Sequence, residues 1–241
     1  RLYFLSAFQE ILLVFFSLLM IIKYLENKHV SSLIFFVMAL LSKETAVALP
    51  LILLALDWSR QKLSFKKILP YALILLPYLY LRLFRFGLAE GETYLWNFSP
   101  SKAANTLMWY VLWSIGAPEL LVDYIGSGLR PTPRFFTDYP VWWALISVLL
   151  ISNLFLLAYL QIKKLKKIDR KLIACMVLFV VSLGPVIFLP QHKFALELGL
   201  PLVWFSLAVS TLVPQKGKLL IVFLFFYLSL NLSMNYLTHT R

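Results

Sequence analysis

Charged side chains that interrupt apolar stretches are the residues best suited to do chemistry in this sequence. Five of them are candidate substrate ligands: Glu10, Lys43, Glu44, His192 and Lys193. A lysine at a helix start and a His-Lys pair at a tight turn supply cationic donors beside free backbone N–H groups, which suits them to a phosphate. The pattern therefore predicts a site for an anionic group.

Each candidate also has an ordinary structural interpretation. Lys43 and Glu44 could form an ion pair with each other and so stabilise a kinked helix. His192 and Lys193 could form an exposed turn at a membrane surface. Glu10 lies in the first apolar stretch, where a carboxylate is either a helix–helix hydrogen-bonding group or part of a reaction cleft. The residues themselves leave these alternatives open.

Other kinds of site find little support in the sequence. A zinc site is hard to assemble from three histidines and the single cysteine, Cys175. No Gly-rich phosphate loop or Gly-x-Ser-x-Gly elbow occurs. The aromatic residues between Tyr94 and Trp113 could stack on a sugar, although interfacial anchoring is their commoner role. We expect no cofactor. The sequence leaves open whether a divalent metal ion binds.

The composition predicts a membrane protein. Of the 241 residues, 61% are hydrophobic and 14% are charged, whereas soluble domains are roughly half apolar and a quarter charged. The apolar residues fall in blocks of about 20, which is the length that spans a bilayer as a helix. We therefore expect an all-α, polytopic transmembrane bundle that forms a single transmembrane domain over residues 1–241.

The basic residues predict the orientation of this bundle. Full spans are expected at Leu2–Leu25, Ile68–Phe86, Val141–Leu160, Leu172–Leu189, Phe194–Val213 and Leu219–Leu237. Basic loops then lie on one side, at Arg60, Lys62, Lys66 and Lys67, along 163–171, and at Lys216 and Lys218. Because short cytoplasmic loops are rich in Lys and Arg, topology explains the net charge of +12 better than nucleic-acid binding does.

The stretch from Val30 to Leu56 predicts two short helices rather than one span. As a single helix it would reach about 40 Å, more than the roughly 30 Å of the hydrocarbon core. Lys43 and Glu44 would then lie near mid-bilayer, at a cost of about a few kcal/mol each. A hairpin of two short helices, with both charges at its turn, avoids that cost.

The segment from Gly87 to Pro140 is expected on the external side. It carries five carboxylates against three basic residues: Glu90, Glu92, Glu119, Asp123 and Asp138 against Lys102, Arg130 and Arg134. Within it, residues 105–121 are apolar and rich in tryptophan, but are broken by Gly116, Pro118 and Glu119. This pattern predicts an interfacial or re-entrant helix.

Two stretches resemble one large family. The run Ala39-Leu40-Leu41-Ser42-Lys43-Glu44-Thr45-Ala46-Val47-Ala48-Leu49-Pro50-Leu51, followed by Leu56-Asp57-Trp58, is similar to the hallmark stretch of GT-C class polytopic glycosyltransferases. These include the protein O-mannosyltransferase-like and aminoarabinose-transferase-like enzymes. Leu189-Pro190-Gln191-His192-Lys193-Phe194 resembles the Leu-Pro-x-x-His turn before a late helix of the same family.

The resemblance implies a function. Such enzymes transfer a sugar from a polyprenyl-phosphate-type lipid donor to an acceptor on the external face, by inverting displacement. Lys43 would contact the carrier phosphate, with His192 and Lys193 in the same pocket. The implied partners are the lipid-linked donor, membrane lipid, and an external lipid, glycan or protein acceptor, with no nucleic acid. We expect a cell-envelope enzyme of the bacterial inner membrane.

The sequence also departs from the family. Where relatives often have Ser-Gly-Arg-x-Asp-Leu-Leu, this chain has Ser6-Ala7-Phe8-Gln9-Glu10-Ile11-Leu12, so Phe8 replaces an arginine. Since the chain opens on Arg1 within an apolar block, we expect it to be the C-terminal part of a larger enzyme. Its catalytic base, an acidic residue in the first external loop, would lie upstream, so these residues alone should be inactive. The alternatives are a transporter or flippase of a lipid-linked or anionic substrate, and an inactive assembly partner.

Overall fold

The computed structural model describes residues 2–87, 91, 94–126, 130–138, 140–164, 170–213 and 218–239. Within these residues every regular element is a helix, apart from one isolated antiparallel bridge between Ile125 and Pro131. The prediction of an all-α bundle is therefore confirmed.

The described helices alternate between long apolar elements and short ones. In chain order they are α1 (Leu2–Leu25), α2 (His29–Ser42), a 3₁₀ helix (Glu44–Ala48), α3 (Leu49–Ser59), α4 (Phe65–Leu81) with a π-helical turn (Arg82–Phe86), α5 (Pro100–Ser114), α6 (Leu121–Tyr124), α7 (Pro133–Asp138), α8 (Trp142–Lys164), α9 (Arg170–Ile187), a second 3₁₀ helix (Ala195–Leu198), α10 (Gly199–Leu212) and α11 (Lys218–His239).

Five helical segments among the described residues are long and apolar enough to cross a membrane, and the chain is an integral membrane protein. They are Ala7–Leu25, Phe65–Phe86, Trp142–Leu160, Arg170–Ile187 and Ala195–Leu212. Each overlaps a predicted span. The sixth predicted span corresponds to α11, whose apolar part is shorter and covers Lys218–Ser233.

One predicted boundary is wrong. Lys66 and Lys67 were expected in the loop before the second full span, but α4 begins at Phe65 and includes both. Ser64, directly before the helix, has an extended backbone, and its carbonyl accepts a hydrogen bond from the Lys67 N–H at 3.1 Å. Long lysine side chains can reach water from the end of a membrane helix, so their charge does not exclude them from it.

The predicted hairpin of two short helices is confirmed. The ring of Tyr24 lies 5.7 Å from that of His29, at the start of α2. The Tyr24 hydroxyl donates a hydrogen bond of 2.7 Å to Asp57, near the end of α3. The end of α3 therefore lies near the start of α2, and the chain reverses between them. The main neighbour of α2 is α1 and that of α3 is α9, and both arms also contact α4.

The chain divides into two compact units, and the first contains residues 1–107 and 170–205. Its helix α1 buries one continuous stripe: Glu10, Leu13, Ser17, Met20 and Tyr24. These positions recur every three or four residues, which places them on one face of the helix. Glu10 is therefore aligned with the residues that pack against the rest of the unit rather than with those that face outward.

A set of four residues, here called the tyrosine network, joins four helices of this unit: Tyr24 in α1, Ser32 in α2, Asp57 in α3 and Tyr71 in α4. Tyr24 bonds to Asp57 as described above, and the Tyr71 hydroxyl donates to the Ser32 hydroxyl at 2.6 Å. Ser32 in turn donates to the carbonyl of Met20 at 2.8 Å. All four side chains are buried, so each buried hydroxyl is satisfied by a neighbour.

The second unit contains residues 108–169 and 206–241. Helices α8 and α11 pack together in it around an apolar cluster of Leu156, Leu160, Val213 and Phe223. The rings of Trp142 and Tyr236 stack 5.2 Å apart.

The predicted break in residues 105–121 is confirmed. Helix α5 ends at Ser114. The backbone of Gly116 has a φ of +101°, which residues other than glycine rarely adopt. A Cβ atom at Gly116 would also lie 3.3 Å from the Leu230 Cβ. Helix α5 is not among the candidate spans. Its interfacial or re-entrant placement stays a prediction.

Candidate functional site: a charged cluster in the first unit

Four residues of the first unit form what we call the charged cluster: Glu10, Lys43, His192 and Glu197. The ammonium of Lys43 donates to Glu10 Oε2 at 2.5 Å and to Glu197 Oε2 at 2.7 Å. The other oxygen of Glu197, Oε1, lies 3.7 Å from His192 Nε2. This last contact is an ion pair only when the imidazole is protonated. Glu197 therefore links the lysine to the histidine.

The charged cluster is largely buried. The side chains of Glu10 and Glu197 expose 6% and 9% of their surface, and those of Lys43 and His192 expose 14% and 17%. Charges removed from water interact strongly and are costly when unpaired. Lys43 and His192 are the two more exposed members of the cluster.

Local backbone breaks position two of these side chains, those of Lys43 and Glu197. Lys43 has extended dihedrals between α2 and the first 3₁₀ helix. Glu197 lies in the second 3₁₀ helix, which follows an extended residue, Phe194. Short 3₁₀ helices commonly serve as connectors and often occur at functional hinges. Glu10 instead comes from the middle of the buried stripe of α1.

Gly199 allows α10 to begin close against Glu10. A Cβ atom at this position would lie 2.7 Å from Glu10 Oε1 and 2.9 Å from Val14 Cγ2, both closer than real contacts allow. Only a glycine therefore fits here without a shift. One oxygen of Glu10 is held against Gly199 and the other bonds to Lys43.

Aromatic rings surround His192. The ring of Tyr94 lies 4.5 Å from the imidazole and that of Phe194 lies 4.8 Å from it. The segment that carries Tyr94 is attached to the same turn, because the Asn97 N–H donates to the Phe188 carbonyl at 2.8 Å. The imidazole is thus oriented by rings on two sides, with Nε2 directed towards Glu197.

Two of the five predicted ligands lie outside the charged cluster. Lys193 donates to Asn105 at 3.2 Å, and burial lowers the pKa of its ammonium. Glu44 exposes 55% of its side chain and pairs with Arg82 at 3.4 Å. The proposed mutual pair of Lys43 and Glu44 is therefore wrong. Since Glu44 enters a helix while Lys43 is extended, their side chains diverge.

The structure brings the other three predicted residues together and adds one that the sequence analysis missed. Glu197 was counted as part of the apolar span that begins at Phe194. A carboxylate in such a span is unusual enough to mark a functional candidate, and that signal was present in the sequence.

Two carboxylates of the expected external segment, Glu90 and Glu92, lie outside the described residues. Among the residues that are described, no group of three or more His, Cys, Asp or Glu side chains is arranged to hold a metal ion.

The geometry assembles residues from two distant parts of the chain. Lys43 and Glu197 are 154 positions apart. Lys43 lies within one of the two stretches that carry the family resemblance, and Glu197 follows shortly after the other. No protein-family model, curated protein or solved structure matches the chain. The charged cluster itself has the parts of an anion site: a lysine, a histidine, and carboxylates that can exchange partners with a ligand.

Proposed function

We propose that this chain is part of a membrane glycosyltransferase of the GT-C type. The enzyme transfers a hexose or pentose from a polyprenyl-phosphate-type donor to a lipid, glycan or protein acceptor. One observation carries the proposal: the two stretches that resemble the family, which are remote in sequence, meet where Lys43 and His192 both contact Glu197.

The chemistry of the cluster supports this assignment. In such a transfer, the bond between the sugar carbon and the phosphate oxygen breaks, and the bonding electrons remain on the phosphate. A fixed ammonium beside that oxygen stabilises the negative charge as it develops. Lys43 has this role in the proposal, and one of its carboxylate partners gives way to the phosphate. The acceptor hydroxyl oxygen forms a bond to the same sugar carbon, and its proton goes to a carboxylate base, which members of the resembled family carry in their first external loop.

The setting of the cluster also suits a lipid-linked substrate. Lys43 lies at a turn between two short helices of an integral membrane protein. A phosphate attached to a polyprenyl chain reaches the membrane surface while its chain remains among lipids. We place the cluster on the external face of the bacterial inner membrane, with the basic loops cytoplasmic, because short loops rich in Lys and Arg favour that side.

Sugar transfer by the full-length protein in proteoliposomes tests the proposal. The donors are polyprenyl-phosphate-linked hexoses and pentoses, and cell-envelope extract supplies acceptors. We expect Lys43→Ala to lower transfer by about 100-fold, as for loss of a group that stabilises developing charge. Lys28→Ala is the matched control, because Lys28 is an exposed lysine of the same unit that pairs with Glu26.

Two results would contradict the proposal. Transfer at the wild-type rate by Lys43→Ala would show that the lysine does not stabilise the departing phosphate. Movement of the labelled donor across the bilayer without transfer by the wild type favours a transporter instead.

A further inference from the structure

We propose that a phosphate group binding at Lys43 takes up one proton from solvent, and that Glu197 positions His192 to receive it. The inference rests on the proposed function, since it assumes a phosphate ligand at this lysine. It assigns a role to Glu197 as a positioning residue and a pH dependence to the site.

Charge balance in the charged cluster motivates the inference. One ammonium, that of Lys43, is shared by two carboxylates, those of Glu10 and Glu197. With both carboxylates ionised and a neutral imidazole, the cluster carries one net negative charge, which repels an anionic ligand in a partly buried site. A proton on His192 removes that charge. Binding of an anion and protonation of the imidazole therefore favour each other.

The geometry indicates which carboxylate moves. Glu10 is held on both sides, by Lys43 and by the close approach of Gly199. Glu197 has its two oxygens divided between Lys43 and His192. A phosphate that replaces Glu197 on the ammonium leaves this carboxylate with the histidine as its partner. A protonated imidazole satisfies it there.

The neighbours of His192 support this assignment. Glu197 is the carboxylate that approaches it, and Tyr94 and Phe194 contribute aromatic rings. The adjacent ammonium of Lys193 is directed to Asn105. Elsewhere among the described residues of this unit, Glu44 pairs with Arg82. Among the described carboxylates, Glu197 is therefore the one placed to stabilise a protonated His192.

Calorimetric titration with methyl farnesyl phosphate tests the inference on the intact protein in lipid nanodiscs. This phosphodiester has no group that titrates near neutral pH, so any proton taken up belongs to the protein. Titrations at pH 8 in two buffers of different ionisation enthalpy give the proton count. We expect about one proton per ligand, and pH 8 is chosen because it lies above the ordinary pKa of histidine.

Two variants locate the proton. Glu197→Gln keeps the shape and a hydrogen-bond acceptor but removes one negative charge. It should bind without proton uptake. At pH 8 it should also bind about tenfold more tightly than the wild type, because binding no longer includes the cost of protonating a histidine roughly one pH unit above its ordinary pKa. His192→Gln should also show no uptake, with weaker binding. Glu26→Gln, an exposed glutamate of the same unit, should behave as the wild type.

The outcomes separate this inference from the proposed function. Binding by the wild type with no proton uptake overturns the inference and leaves Lys43 as a phosphate ligand. Uptake that persists in both Glu197→Gln and His192→Gln assigns the proton elsewhere and also overturns it. Absence of binding overturns the proposed function, and the inference falls with it.

Discussion

The charged cluster and the tyrosine network lie 14 positions apart along α1, or about 21 Å, and they solve the same packing problem differently. Both connect α1 to the hairpin through polar side chains, the tyrosine network at its arms and the charged cluster at its turn. The tyrosine network uses hydroxyl donors and one carboxylate, all buried. The charged cluster uses one ammonium and two carboxylates, and leaves Lys43 and His192 partly exposed.

The difference distinguishes a structural contact from a candidate site. In the tyrosine network each hydroxyl is satisfied by its neighbours, so a ligand has nothing to gain there. In the charged cluster a lysine has two competing anionic partners, and an added anion can replace one of them. Buried ion pairs contribute little net stability compared with apolar packing. The charges are therefore better explained by function than by folding.

The largest expected effect comes from Lys43→Met, which leaves Glu10 and Glu197 without their cation. We expect the free energy of unfolding to fall by about 3 kcal/mol, the lower end for a broken buried pair, because part of Lys43 is exposed. Thermal unfolding in detergent, followed by tryptophan fluorescence, measures the change. Adding Glu10→Gln should restore part of the loss, whereas Lys28→Met should have no effect. An unchanged midpoint for Lys43→Met would mean that the carboxylates do not depend on this lysine.

In the tyrosine network, Tyr24→Phe should lower stability by about 2 kcal/mol, because it removes a hydrogen bond to the buried carboxylate of Asp57. Tyr71→Phe is the matched comparison and should cost about 1 kcal/mol, since its acceptor is the neutral hydroxyl of Ser32. Both variants should bind methyl farnesyl phosphate as the wild type does. A loss of binding in Tyr24→Phe would show that the two regions are coupled.

Gly199→Ala should perturb the charged cluster without changing its charges. The added methyl group meets Glu10 and Val14, and overpacking of this kind costs about 1 to 2 kcal/mol. Gly184→Ala in α9 is the control, because a Cβ atom there meets nothing within 4 Å. That variant should be neutral or slightly more stable. Equal unfolding midpoints for the two variants would contradict the close packing of Gly199 against Glu10.

The smallest effect is expected at Glu26, an exposed carboxylate. Hydrogen bonds from Lys28 and then Lys23 hold its pKa below the ordinary value. Because the folded pKa is the lower one, these contacts stabilise the protein above the unfolded pKa. The contribution is lost as pH falls through the folded pKa. Unfolding midpoints between about pH 5 and pH 3 should therefore fall slightly less in Glu26→Gln than in the wild type. A steeper fall in the variant would contradict the assignment.

Much of the fold could be predicted from residue patterns, because the bilayer limits the choices. The cost of placing Lys43 and Glu44 at mid-bilayer predicted the hairpin, and Gly116 with Pro118 predicted the end of α5. Helix boundaries were less certain, as α4 shows. A long lysine is compatible both with a loop and with the end of a helix.

The partners of the charged residues could be predicted only in part. The spacing of Glu10 from Leu13 and Tyr24 places it on the buried face of α1, but not beside a particular cation. The pairing of Lys43 with Glu197 depends on packing between elements 154 positions apart. The sequence neighbour Glu44 was a natural but wrong partner, because the backbone changes conformation between the two residues.

A structure of the protein with a bound polyprenyl phosphodiester would test the central claim most directly. The account predicts a phosphate oxygen within hydrogen-bond distance of the Lys43 ammonium, with Glu10 still on the lysine and Glu197 turned towards His192. A phosphate bound elsewhere, with Lys43 still held between both carboxylates, would contradict it and would make the charged cluster a structural contact like the tyrosine network.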